Sequence, residues 1–136
     1  EKQVAGLRAW IESGVKYTLA TDQGPDSSDL GPVAWGRLGR MHFGRMIGLQ
    51  EAGASPMEVL VASTRAGAEA YGLDKRLGTL EEGKIADMLV LDADPLQDIA
   101  NMRQINAVIK DGRLVDREAL PTVKVLDYDP SLPWPF

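Results

Sequence analysis

The sequence contains no cysteine and one histidine, His42. The first absence removes disulfide, thiolate and cysteine-zinc chemistry together, and it fits a reducing compartment, so the cytoplasm is the expected location. No apolar run approaches the length needed to cross a bilayer, and no membrane partner is expected. Basic residues are not gathered anywhere: 15 Lys and Arg stand scattered among 20 acids, for a net charge of -5 and a pI near 4.8. A nucleic-acid footprint wants cations collected on one face, so nucleic acid is excluded as a partner. There is no internal repeat of solenoid period and no low-complexity tract. The first ten residues, EKQVAGLRAW, have neither an initiating Met nor signal-peptide organisation, and they start inside a helical pattern. That start predicts a piece of a longer protein.

What is present has the composition of a globular domain: 136 residues, 44% hydrophobic and 26% charged. Val4, Leu7 and Ile11 recur at helical spacing and Gly14 stands where a helix would stop, which predicts a helix over about 4–13. Val15-Lys16-Tyr17-Thr18-Leu19-Ala20-Thr21 is short, β-branched and aromatic, and predicts a strand. A helix, a tight glycine turn and a strand make one αβ unit of the kind that builds parallel sheets.

Residues 23–36, QGPDSSDLGPVAWG, form a loop in which Gly-Pro pairs and aspartates leave little to propagate a helix or ladder. A helix is expected from about Leu38 to Gln50, weakened by Gly39, Gly44 and Gly48. Ser55-Pro56-Met57-Glu58 then offers an N-cap serine, a first-turn proline and a capping-box glutamate. One helix is expected to run from there to Gly72, with Met57, Leu60, Val61, Thr64, Ala68 and Tyr71 on its apolar face. Beyond Leu77 the pattern turns to short strands. Met88–Leu91 is one, and Ala107–Lys110, Asp111-Gly112 and Arg113–Val115 read as a two-residue hairpin. The tail, DYDPSLPWPF, is expected to lie extended on a surface or to be disordered.

One short stretch combines local structure with possible chemistry. In Thr18-Leu19-Ala20-Thr21-Asp22-Gln23-Gly24-Pro25, a carboxylate stands where the apolar run ends and the Gly-Pro break begins. Local pattern leaves two readings open: Asp22 opens an Asx-type turn, or it is a working residue at the end of a strand. His42 lies inside the expected second helix beside Met41 and Phe43, and reads as a core-edge or surface residue, with substrate contact as the remaining possibility. Glu81-Glu82 and Asp26/Asp29 read as solvated turn charges, and Asp87 as structural.

The run Leu77-Gly78-Thr79-Leu80-Glu81-Glu82-Gly83-Lys84-Ile85-Ala86-Asp87-Met88-Leu89-Val90-Leu91-Asp92 resembles a signature of the amidohydrolase superfamily. There, the signature leads the chain out of a (β/α)8 TIM barrel into a small β-sandwich. Glu51–Glu58 with Ala62-Ser63-Thr64 is similar to the last barrel helix of that family, Asp94–Ile99 to its sandwich linker, and Val108–Arg113 to its final hairpin. The branch most resembled holds imidazolonepropionase and prolidase-like metal-dependent hydrolases.

The resemblance implies an α/β fold made of the last strand and helices of a TIM barrel plus part of a β-sandwich, an incomplete fragment. Residues 1–76 would be the barrel part, 77–120 the sandwich part and 121–136 an extended tail. It also implies that Asp22 ends the eighth barrel strand as a metal ligand and general base in an enzyme that hydrolyses C–N bonds of a small amide, cyclic amide or dipeptide. The metal implied is divalent, zinc by preference. The family takes its other ligands from earlier strands, and with one histidine this chain does not hold them. The remaining N-terminal segment of the same enzyme, or self-association, is therefore the expected partner. Two other readings compete: a non-catalytic folded or oligomerising fragment without the metal site, and a small α/β ligand-binding domain unrelated to the barrel.

Overall fold

The computed structural model describes residues 2–20 and 41–120. Helix α1 (Lys2–Glu12) ends at Gly14, whose φ of +69° reverses the chain into an extended segment over 15–20. Helices α2 (Met41–Glu51), α3 (Pro56–Ser63) and α4 (Arg65–Ala70) follow. A three-stranded antiparallel sheet closes the described chain, in the order β1 (Met88–Leu91), β2 (Ile105–Lys110), β3 (Arg113–Leu114). A 3-10 helix, Ile99–Arg103, lies between β1 and β2.

The core is small and joins the helical part to the sheet part. Met46 and Leu49 of α2, Ala54, and Val59 of α3 pack with Ile99 and Met102 of the 3-10 helix. Leu7, Ile11, Tyr17 and Leu19 lean on this cluster from the N-terminal side. The Ile99 amide also donates to the Gln50 side-chain carbonyl at 3.1 Å. Among the described residues no polar or charged side chain is buried, so apolar contact does the joining.

Three local features match what the residues predict. Ser55 caps α3: its Oγ accepts from the Glu58 amide at 3.3 Å, while the Glu58 carboxylate accepts from the Ser55 amide at 2.7 Å. The Ser55 hydroxyl, which donates to the same carboxylate at 2.6 Å, and after it the Ser55 amide hold the Glu58 carboxyl below the usual carboxylate range. Asp111 and Gly112, at φ 51° and 73°, form the hairpin tip in the conformation that a type I′ turn requires. Gly72 takes a left-handed φ of +67° beyond the last helix, as a C-terminal glycine should.

Three expectations change. The segment 15–20 is extended but joins no ladder, because a strand exists through its neighbours and none pairs with it among the described residues. Its side chains still alternate, Tyr17 and Leu19 half-buried against Lys16, Thr18 and Ala20 exposed. The single helix from 56 to 71 is two helices. Thr64, at φ −132° and ψ −88°, breaks it. Ser63 Oγ and Thr64 Oγ1 donate back to the carbonyls of Val59 (2.6 Å) and Leu60 (2.7 Å), a pattern that bends helices. The covered face also differs: Val59, Ala62 and Ala68 are buried, whereas Met57 and Tyr71, expected on the apolar stripe, are 53% and 81% exposed. The loop 23–36 with Trp35, and the tail 121–136, lie outside the described residues.

The turn 77–87 follows from its side chains. Gly78, at φ +91°, lies so close under α4 that a Cβ there would meet the Ala68 Cβ at 2.7 Å and the Arg65 Cα at 3.1 Å. Lys84, its side chain 14% exposed, donates to Thr79 Oγ1 and to Glu81 at 3.3 Å, closing the turn around Gly83. Asp87 then ties the start of β1 to the hairpin tip. It accepts from Lys110 Nζ and from the Asp111 amide at 2.7 Å, while the Gly112 amide reaches the Ala86 carbonyl at 2.9 Å.

Two outcomes follow from the turn. Gly78→Ala combines a forced contact with a left-handed backbone and should destabilise by about 2–4 kcal/mol in denaturant titration. Gly83→Ala, at φ +84° in open space, meets only the backbone penalty and should cost about half as much. Asp87 is held below its usual range by the Lys110 ammonium first and the Asp111 amide second. A carboxyl that binds its proton more weakly folded than unfolded stabilises the fold above the unfolded value of ~3.9 and loses that contribution as pH falls below it. Thermal unfolding followed from pH 7 to pH 2 should therefore show a shallower acid decline in Asp87→Asn than in the parent, starting from a lower midpoint.

Candidate functional site

The site is built around the extended segment 15–20, which leads to Asp22. Asp22 itself lies outside the described residues, so the geometry on view is that of its approach. At the N-terminal end, Ser13 Oγ donates to the Trp10 carbonyl at 2.6 Å and accepts from the Val15 amide at 3.4 Å, fixing the exit from α1. In the middle, the elbow between α3 and α4 holds the segment. The break at Thr64 takes the Ala62 carbonyl out of the helical ladder, and that oxygen accepts from the Leu19 amide at 2.9 Å and from Thr18 Oγ1 at 3.2 Å. Gly67 leaves room for the contact, since a Cβ there would sit 3.2 Å from Thr18 Oγ1.

On the other side of the segment a cleft of about 230 Å³ opens toward α1 and α2. Leu7, Trp10, Ile11, Tyr17 and Leu49 line it, and Arg45 is the charged residue among its walls. Trp10 is 68% exposed there, a large apolar side chain without cover. The Tyr17 ring packs on the core, and its hydroxyl is buried and finds no hydrogen-bond partner among the described residues. Burial raises the pKa of that phenol, with the Glu58 carboxylate adding in the same direction.

His42 does not join a constellation. It is half-buried on α2, tilted 41° against Phe43 with ring centroids 4.2 Å apart, a core-edge position. Glu81 and Glu82 are exposed, and Glu81 is engaged with Thr79 and Lys84. Asp87 works in the hairpin. Asp26 and Asp29 lie outside the described residues. Among the described residues no three of His, Cys, Asp and Glu are gathered closely enough to hold a metal ion. Asp22 offers one hard oxygen donor, which suits a divalent ion but does not make a site, since a catalytic centre takes about three protein ligands.

Sequence reasoning passed over Thr18, Tyr17 and the Ala62 carbonyl. The Ser63-Thr64 pair with Gly67 three residues on was the available signal, since hydroxyls that bond back and a mid-helix glycine both weaken a helix.

Comparison with known proteins adds three findings. Residues 1–115 match the amidohydrolase family. Imidazolonepropionase of Shouchella clausii is 33% identical over 114 residues, covering 82% of this chain and 24% of that protein. Among solved structures, phenylurea hydrolase B is 39% identical with a TM-score of 0.78, over 91% of this chain and 29% of that one. A Xaa-Pro dipeptidase is 25% identical with a TM-score of 0.66, over 82% and 25% respectively. The chain thus spans roughly a quarter of the length of the proteins it matches.

The unpartnered Tyr17 hydroxyl generates a stability test. Removing a buried group that makes no bond should be neutral or stabilising by up to about 1 kcal/mol. Tyr17→Phe should leave the melting temperature unchanged or raise it. A fall comparable to the loss of a made hydrogen bond would show that the hydroxyl has a partner.

Proposed function

The chain belongs to the amidohydrolase family, and from that premise we propose that it is the C-terminal part of a metal-dependent hydrolase of C–N bonds, with Asp22 as metal ligand and general base. The observation that carries this reading is the extent of the family match. It runs through the extended segment 15–20, through Asp22 and through the whole of the Gly78–Asp92 signature. Two of the relatives are named for a urea and for a dipeptide, small molecules in which a carbonyl carbon is bonded to nitrogen. Those names support a small amide, cyclic amide or dipeptide as substrate.

In this reading residues 1–76 complete a TIM barrel, 77–120 contribute to a β-sandwich, and 121–136 form an extended tail. Asp22 stands at the C-terminal end of the last barrel strand, where such barrels carry their reacting groups. A divalent metal, zinc in our reading, would supply Lewis acidity and would lower the pKa of water toward ~7. Asp22 would hold the ion through its carboxylate, and as general base it would take a proton from water and return it to the leaving nitrogen. The other ligands and the substrate pocket belong to the N-terminal remainder of the same protein, or to a second copy. Among the described residues no helix is long and apolar enough to cross a membrane.

The test uses the complete protein and its Asp22→Asn variant, assayed on an N-phenylurea, a Xaa-Pro dipeptide and imidazolonepropionate, with metal content measured on the same samples. The expected result is hydrolysis of at least one of the three, slowed about 10²–10⁴-fold in Asp22→Asn, the usual contribution of a positioned base, together with loss of bound metal. Equal rates and equal metal content in the two proteins would sink the assignment. No hydrolysis and no metal in the parent would favour a non-catalytic module.

A further inference from the structure

We propose that α4 is a two-state element: bent away from α3 it grips the segment 15–20, and swung into line with α3 it releases that segment. The inference concerns the elbow alone and holds whether or not the chain takes part in catalysis.

The exchange of partners is built into one atom. In an unbroken helix the Ala62 carbonyl would accept from the Ala66 amide, four residues on. Here it accepts instead from the Leu19 amide at 2.9 Å and from Thr18 Oγ1 at 3.2 Å. Ala66 is the second residue of α4, and its amide is among the first-turn donors that a helix leaves without a partner inside itself. The direction of α4 thus decides which donors reach the carbonyl. Each arrangement gives up hydrogen bonds that the other makes, and a single hydrogen bond is worth little net, so the two stand close in free energy.

Local sequence does not choose between them. Ser63 and Thr64 bond back to the preceding turn, which favours the bend, while arginine, alanine and glutamate in α4 favour running on. Six residues are too few to hold a helix unaided, so contacts from outside set its direction. Two grips supply them. From the segment, Thr18 Oγ1 comes within 3.2 Å of where a Gly67 Cβ would sit, and Lys16 Nζ reaches the Glu69 carboxylate at 3.7 Å. From the following turn, the Gly78 backbone lies so close that a Cβ on it would meet the Ala68 Cβ at 2.7 Å, the Arg65 Cα at 3.1 Å and the Thr64 carbonyl at 3.5 Å. The ion pair is exposed and adds little. The close backbone contacts hold the bend, and both grips bias the same short helix. A change at Gly78 is therefore felt at Leu19, with α4 as the physical link.

Amide hydrogen exchange, resolved residue by residue in the complete protein, reads both donors that compete for the carbonyl. The variants are Gly78→Ala at one grip and Thr18→Val at the other, with Gly83→Ala as control, because a Cβ there meets open space in the same turn. A shift of the straight form from about a tenth to about a half of the molecules would quicken exchange at Leu19 about fivefold and slow it at Ala66 about twofold. That pair of opposite changes is expected in Gly78→Ala and in Thr18→Val, and parental rates at both amides in Gly83→Ala. Quickening of Leu19 and Ala66 together means that the elbow melts instead of exchanging partners, and overturns the proposal. Parental exchange at Leu19 in Gly78→Ala overturns it as well, as do the same opposite changes in Gly83→Ala. If Gly78→Ala does not fold, Thr18→Val decides alone: unless Ala66 slows while Leu19 quickens, α4 has one state.

Discussion

A single backbone oxygen, the carbonyl of Ala62, organises the helical half of this structure. It becomes available because Ser63 and Thr64 turn their hydroxyls back on the preceding turn and the helix breaks there. Once free, it bonds the extended segment that runs toward Asp22. The short helix beyond the break is clamped by Gly78, and Gly78 opens the turn whose Lys84, Thr79 and Glu81 close on one another. From that turn the chain passes through Asp87 into the sheet. Helix elbow, turn and hairpin tip are successive links in one mechanical path, with a different kind of contact at each joint: carbonyl, bare backbone, ion pair.

The sheet half is tied in by apolar contact. Ile99 and Met102 sit in the same cluster as Met46, Leu49 and Val59, so the chain's two regions share a core although they differ in architecture. That core is small for the surface around it. Leu89 and Val90, neighbours on β1 and therefore on opposite faces, are both nearly half exposed, and Leu114 at the far edge is 72% exposed. A strand bare on both faces and along one edge is a surface built to be covered. The same holds for Trp10 and the cleft beside it. The relatives named above are about three to four times as long as the span they share with this chain.

How much of this is legible in the residues depends on the range of the forces involved. The capping box at Ser55, the type I′ turn at Asp111-Gly112 and the helix stops at Gly14 and Gly72 are decided within four or five residues, and sequence reads them directly. The role of Asp87 as a structural carboxylate also follows from its place between a turn and an apolar strand. The break at Thr64 is harder. Leucine and alanine before it and arginine, alanine and glutamate after it favour continuation, and the carbonyl that the break frees is taken by a partner 44 residues away in sequence. The burial of Val59 in place of Met57 was equally out of reach, since the face of α3 that is covered is decided by Met46, Leu49, Ile99 and Met102, all distant in sequence. The candidate site was legible only through resemblance, because one aspartate before a Gly-Pro break has a common structural use and, among the described residues, no three of His, Cys, Asp and Glu gather to hold a metal ion.

The separation between Thr18 and Ala62 also has a meaning in time. During synthesis at about 5–20 residues per second, the extended segment emerges roughly 2–9 seconds before the carbonyl that will hold it. Through that interval its amide and its hydroxyl wait without the oxygen that will bond them. A segment offered early, with its anchor delivered late, stays free to adjust until the elbow forms. The order of translation thus makes the Ala62 oxygen a latch that closes last.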